Sequence, residues 1–234
     1  TLSGSDNNTL GQVSLIGDTS ILTNGGPVTI NASVEDDGTG TPSDLTVSAG
    51  GANIIFQSSI GGSLPPGAVS LLSDAETIIQ GTVDARTFTS SGGTGSKIVF
   101  NGGAVTTTGN QAFGNSLELG QDTTLTNTAD YSSIQLHAVY SKSFQASNLT
   151  IVNTGADGGV QFYGDVGQGD NKGLGAIIVN AVGTTSIGDP SSSAQQFVRA
   201  SSVTTDANGS LLLDLHNGEI ITSGSQSYGD LGGV

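Results

Sequence analysis

Short β-branched runs recur in this chain at a long, nearly constant interval, and that repetition limits what it can fold into. Asp18-Thr19-Ser20-Ile21-Leu22 returns 104 residues on as Asp122-Thr123-Thr124-Leu125, and Leu45-Thr46-Val47 returns at the same interval as Leu149-Thr150-Ile151. Residues 28–32 match residues 134–138 at 106, and Ile55-Phe56 matches Phe162-Tyr163 at a similar spacing. Further on, residues 85–89 and 108–115 recur at 115 as residues 200–204 and 223–230. The interval grows through two polar stretches of the second copy, 167–173 and 189–193, and insertions of that kind belong in loops. The spacing predicts two copies of one unit, 1–115 and 116–234, joined as one continuous solenoid.

The material between the runs decides their conformation. Glycine supplies 37 of the 234 residues, about twice its usual share, and sits with Asn, Asp and Ser at the joints, where positive φ is often needed. The only glutamates are Glu35, Glu76, Glu118 and Glu219, and Lys and Arg total 5, so exposed helices cannot build their Glu–Lys pairs. Runs such as Ile134-Gln135-Leu136-His137 alternate apolar with polar, as a strand with one buried face does. We therefore expect an all-β chain folded as a parallel β-helix of about ten turns of ~20–25 residues, a rod roughly 50 Å long. The competing fold is a string of β-sandwich modules, which Asn101-Gly102, Asn208-Gly209, Asn217-Gly218 and Asp37-Gly38 would serve as hairpin turns. The absence of Trp and the low aromatic content, 5%, favour the solenoid.

The run Leu45-Thr-Val-Ser-Ala-Gly-Gly-Ala-Asn-Ile-Ile-Phe56, with Val105-Thr-Thr-Thr-Gly-Asn-Gln-Ala-Phe-Gly114 and Asp122-Thr-Thr-Leu-Thr126, resembles the repeats of filamentous-haemagglutinin-like exoproteins, the giant repetitive bacterial adhesins secreted with an outer-membrane partner. The resemblance spans nearly the whole chain in degenerate motifs. It implies a right-handed parallel β-helix, export to the bacterial cell surface or medium, and a place in a stalk or fibre. The chain begins at Thr1 with no signal peptide, which suggests a processed form or a segment of a longer protein. Neither end carries an atypical capping repeat, so we expect a solenoid open at both ends whose partners are neighbouring repeats or further copies end to end.

A formal net charge of −15 leaves no basic patch for phosphates and argues against nucleic acid. No apolar run approaches the length of a membrane span, and with no cysteine there is neither a disulfide framework nor a thiolate site. The acidic cluster Glu35-Asp36-Asp37 reads as a solvated loop rather than the facing pair of a glycosidase. Arg86, Lys97, Lys142, Lys172 and Arg199 are scattered without a motif, which counts against an anionic substrate. His137 and His216 lie in strand-like runs without partner motifs. No catalytic residue is expected, and the chain reads as non-catalytic. No cofactor is called for, although Asp157, Asp170 and Asp206 stand in Gly-rich turns as candidate calcium ligands. Tyr131, Tyr140 and Tyr163 are candidate contacts for a surface glycan; clustering on one face would favour binding, and burial in stacks would favour a structural role.

Overall fold

The computed structural model describes residues 7–23, 25–205 and 208–229. Among them every element of regular structure is a β-strand, and every strand pair is parallel. The strands stack into a β-solenoid of about nine turns, each turn laying one strand on each of three faces. The first face carries the inward column Val28, Ile54, Thr77, Ile98, Leu117 and Val139, continued by single bridges through Val166 to Val198. The second carries Val34, Ile60, Val83, Val105, Leu125, Ile151 and Val179. The third carries Leu45, Val69, Phe88, Gln111, Ile134 and Val160. The sequence alternation becomes burial alternation directly: Leu45–Gly50 places Leu45, Val47 and Ala49 inside and Thr46 and Ser48 towards solvent.

With parallel pairing throughout, no sandwich module forms among the described residues, and the Asn-Gly and Asp-Gly dipeptides are solenoid corners rather than hairpins. The count of about nine turns is close to the expected ten, and turn length is not constant. Both polar insertions, 167–173 and 189–193, lie in the one turn that separates Val166 from Val198, and these two residues still pair directly. Nine rises of ~4.8 Å give a rod of roughly 43 Å. The insertions project from corners and leave the columns unbroken.

The core is one continuous cluster, with Phe56, Phe88, Phe100, Phe113 and Phe162 among its largest buried side chains. Phe88 and Phe113, on neighbouring turns, stack at 5.2 Å between ring centroids. A second inward column is polar: Thr107, Asn127 and Asn153, each fully buried, lie in register on successive turns. In the last described turn the inward residues Leu211 and Ile220 are only half-buried and Leu213 is 43% exposed.

Corners are fastened by Asx side chains that reach one turn along. Asp18 Oδ1 accepts the Asp44 N–H at 3.0 Å, and Asp44 Oδ1 accepts the Ala68 N–H at 2.6 Å. Asp122 Oδ1 accepts the Asn148 N–H at 2.8 Å, and Asn148 Oδ1 accepts the Ala176 N–H at 2.7 Å. These four residues are the repeat partners read from the sequence, and they make the same bonds at different corners: the first pair leads into the third face, the second into the second face. Thr107 and Gln111 behave likewise. Gln111 Nε2 donates to Thr107 Oγ1 at 3.2 Å, as Gln226 Nε2 does to Thr222 Oγ1 at 3.2 Å, yet one motif joins the second face to the third and the other joins the first to the second. Every matched segment obeys one rule. The second copy lies fourteen strand positions after the first, four turns and two thirds, so each equivalent residue moves to the adjoining face.

Candidate functional site

The acidic cluster is not a solvated loop: Glu35 and Asp36 lie in the strand Val34–Asp36, Asp36 is buried, and all three carboxylates are committed to local hydrogen bonds. Glu35 accepts the N–H groups of Gly62, Ser63 and Leu64 at 3.2, 3.0 and 2.8 Å. Asp36 accepts those of Gly38 and Ser43 at 2.9 and 2.8 Å, and Asp37 accepts from Thr39. These carboxylates hold a turn together instead of facing one another across a cleft. The Ser43 and Gly38 N–H groups hold Asp36 below the usual carboxylate range against the opposing pull of desolvation. A depressed folded-state pKa contributes stability that is present above the unfolded value of ~3.9 and is lost as pH falls through the folded one. Asp36→Asn is therefore expected to be less stable than the parent at pH 7, with the gap closing as pH falls from ~3.9 through the lower folded value; urea titrations at neutral and strongly acid pH measure it, and a gap that persisted in acid would disprove the linkage.

Asp157 stands exposed at a left-handed turn (φ 55°) before the strand Gly159–Phe162, and Asp170 is exposed in the insertion 167–173. The fold places them on separate corners, and Asp206 lies outside the described residues. Among the described residues no three His, Cys, Asp or Glu side chains converge as metal donors. His216 Nε2 sits 2.9 Å from the Asp189 carbonyl oxygen and 3.5 Å from Asp214; His137 packs its ring on Tyr163 at 5.9 Å.

The tyrosines are dispersed rather than gathered. Tyr131 is 80% exposed at a left-handed turn between the second and third faces, Tyr163 follows the third-face strand Gly159–Phe162, and Tyr140 points outward from the first face in Val139–Ser141. Burial raises the Tyr140 pKa, with Lys97 opposing and Glu118 and Glu76 adding to the rise. The Lys172 ammonium lies over the Tyr140 ring, 4.4 Å from its centroid.

The basic residues depart furthest from expectation. Arg86 pairs with Asp44 at 2.9 Å. Lys97 bridges Glu76 and Glu118 on the turns either side, at 3.1 and 3.0 Å; desolvation alone would lower its pKa, but the hydrogen bonds to Glu118 and Glu76 outweigh that and raise it. The other three are not scattered in space. Lys142, Lys172 and Arg199 follow the first-face positions Ser141, Val166 and Val198 on three successive turns, along the edge where the first face meets the second. Ser141 donates its N–H to the Lys172 carbonyl at 3.0 Å, and Phe144 donates to that of Asn171 at 2.9 Å. Beside them opens a groove of about 790 Å3 lined by Phe144, Asn171, Arg199, Ser201 and Thr222 among others, a size typical of ligand sites. Phe144 is 84% exposed, with φ at 66°. Among the described residues no acidic side chain lines the groove.

This edge is the repeat equivalent of the Glu35-Asp36-Asp37 corner. The Asp36 N–H to Leu64 carbonyl bond matches Ser141 to Lys172, Gly61 to Val34 matches Gly167 to Val139, and Asp84 to Ile60 matches Arg199 to Val166. One backbone frame thus carries Asp37, Leu64 and Asp84 in one copy and Lys142, Lys172 and Arg199 in the other. The repeat held the signal for this site: aligning the copies by their strands exposes the charge inversion, which one-dimensional spacing hid behind the insertion. No family model, curated protein or solved structure matches this chain.

Proposed function

We propose that the chain is a non-catalytic structural rod, a stiff repeat segment of a secreted or cell-surface fibre, stalk or adhesin in bacteria. The observation that carries this reading is the set of parallel ladders, bridged at Ile60 and Val166 by single pairs, around a single continuous core. Pulling such a rod along its axis loads many backbone hydrogen bonds at once, and each turn is supported by its neighbours on both sides. The dispersed tyrosines and the stacked phenylalanines favour structure over a general adhesive face. A surplus of negative charge on the exterior discourages lateral clumping. The half-exposed Leu211, Leu213 and Ile220 supply an end to which another turn adds, from the same polypeptide or from a second copy.

Electron microscopy of the purified chain tests this. Rods about 43 Å long, alone or joined into filaments with that axial repeat, are the expected result. Compact globular particles would remove the rod as the basis of function, and rods that never join at any concentration would remove the end-to-end partner.

A further inference from the structure

We propose that the groove beside Phe144 and Arg199 binds an acidic polysaccharide: a linear chain of uronic acids laid along the rod axis. Twenty acids surround five bases in this chain, so each base has ample opportunity to find a carboxylate. Arg86 and Lys97 do. Among the described residues, no carboxylate lies at ion-pair distance from Lys142, Lys172 or Arg199, and these three share one edge. Leaving three neighbouring cations without a carboxylate in so acidic a chain, with only the Tyr140 ring beneath Lys172, calls for an anion from outside.

Their spacing describes that anion. The three stand on successive turns, ~4.8 Å apart along the axis, a rise that suits a polymer with one carboxylate per sugar ring; a nucleic-acid duplex rises ~3.4 Å per phosphate of each strand. Arg199 offers a planar fork matched to a carboxylate. The exposed Phe144 ring is a platform for the apolar face of a pyranose, and Asn171, Ser201 and Thr222 line the same groove with donors and acceptors for ring hydroxyls. Phe144, Ala146 and Asn171, all groove-lining, hold left-handed backbone at φ 66°, 50° and 57°, conformations that non-glycine residues keep where the surroundings over-determine them. The first copy serves as the internal reference. On the same frame its cations are replaced by Asp37, Leu64 and Asp84, Leu64 approaches Gly38, and Glu35 ties down the loop. One copy keeps the corner as a closed turn, and the other opens it as a groove with Arg199 in its wall.

The test is calorimetric titration of the full chain with a hexamer of galacturonic acid, its methyl-esterified form, and a single-stranded oligonucleotide of about ten residues. The acid hexamer is expected to bind, more weakly as salt rises, with the ester at least about tenfold weaker. Arg199→Ala and Phe144→Ala should each weaken binding by about tenfold while keeping the parent's melting temperature, since both side chains are exposed. Arg199→Asp, which installs the first copy's charge, should abolish binding. The proposal is overturned by absence of hexamer binding at millimolar concentration, equal binding of the ester, unchanged binding by the Arg199 and Phe144 variants, or tighter binding of the oligonucleotide.

Discussion

Gly102→Val is expected to lower the stability of the chain by about 4 kcal/mol or more, on the scale of a whole domain's stability. Gly102 lies in the corner Asn101-Gly102-Gly103 between the strands Lys97–Phe100 and Ala104–Thr107. A Cβ there would fall inside the carbonyl oxygen of Gly81, which occupies the same corner one turn earlier. Gly81 has no room either, since its Cβ would meet the backbone of Ser58 and Ser59. The corner is a column of backbones in contact, and rung spacing forbids either layer to retreat. Asn101 pins it further, donating its N–H to the Ile79 carbonyl and its Nδ2 to Gln80 Oε1, at 2.8 and 3.1 Å. Gly51→Ala is the matched control, with nothing within 4 Å of its Cβ and an expected effect within about 0.5 kcal/mol. Urea denaturation followed by circular dichroism compares them. A Gly102 variant within about 1 kcal/mol of the parent would mean that the corner relaxes and that the ladders are softer than their register implies.

Asn153→Asp should cost about 3–5 kcal/mol at pH 7, and much less in acid. Asn153 is fully buried in the polar column with Thr107 and Asn127. Its Nδ2 donates to the carbonyls of Ser132 and Gly159 at 3.2 and 3.0 Å. An ionised aspartate of the same shape has no proton to give, so two carbonyls lose their donor and a charge is left in the core. Desolvation raises the pKa of such a carboxyl in the folded state. The folded variant then binds a proton more tightly than the unfolded chain does, and its deficit grows as pH rises above ~3.9 and narrows below it. Denaturation at pH 7 and pH 4 separates the charge from the shape: a deficit equal at both values would locate the damage in packing alone.

Much of the fold can be read from the alternation in runs such as Leu45–Gly50 and from Gly, Asn and Asp at the joints, because a pleated strand with one buried face has no other economical pattern. The number of turns is less legible. Corners accept insertions at little cost to the columns, so length divided by a fixed period gives the number only approximately. Asn101-Gly102 reads equally as a hairpin or a corner, since the dipeptide specifies a sharp change of direction and not the partner strand. At the groove, neither Lys142, Lys172 nor Arg199 carries a local signature. They meet because 27 and 32 residues separate Val139, Val166 and Val198 in sequence while one rung separates them in space. Phe144 carries no signal of its own beside the tyrosines, because a phenylalanine reads as a core residue until the left-handed backbone that turns it outward is known.

The two-thirds of a turn by which the copies are offset gives the molecule a screw symmetry finer than its own coil. The three faces are interchangeable as acceptors of a strand, so a duplicated stretch need hold only a whole number of strands, and its end can be spliced in at any edge. Three tandem units of this kind would bring decoration back to its starting edge after fourteen turns, about 67 Å along the axis. Within that span each unit would face a different direction. A fibre grown by such steps would carry its grooves in a slow spiral around the shaft, meeting surroundings on every side without any change in the shaft itself.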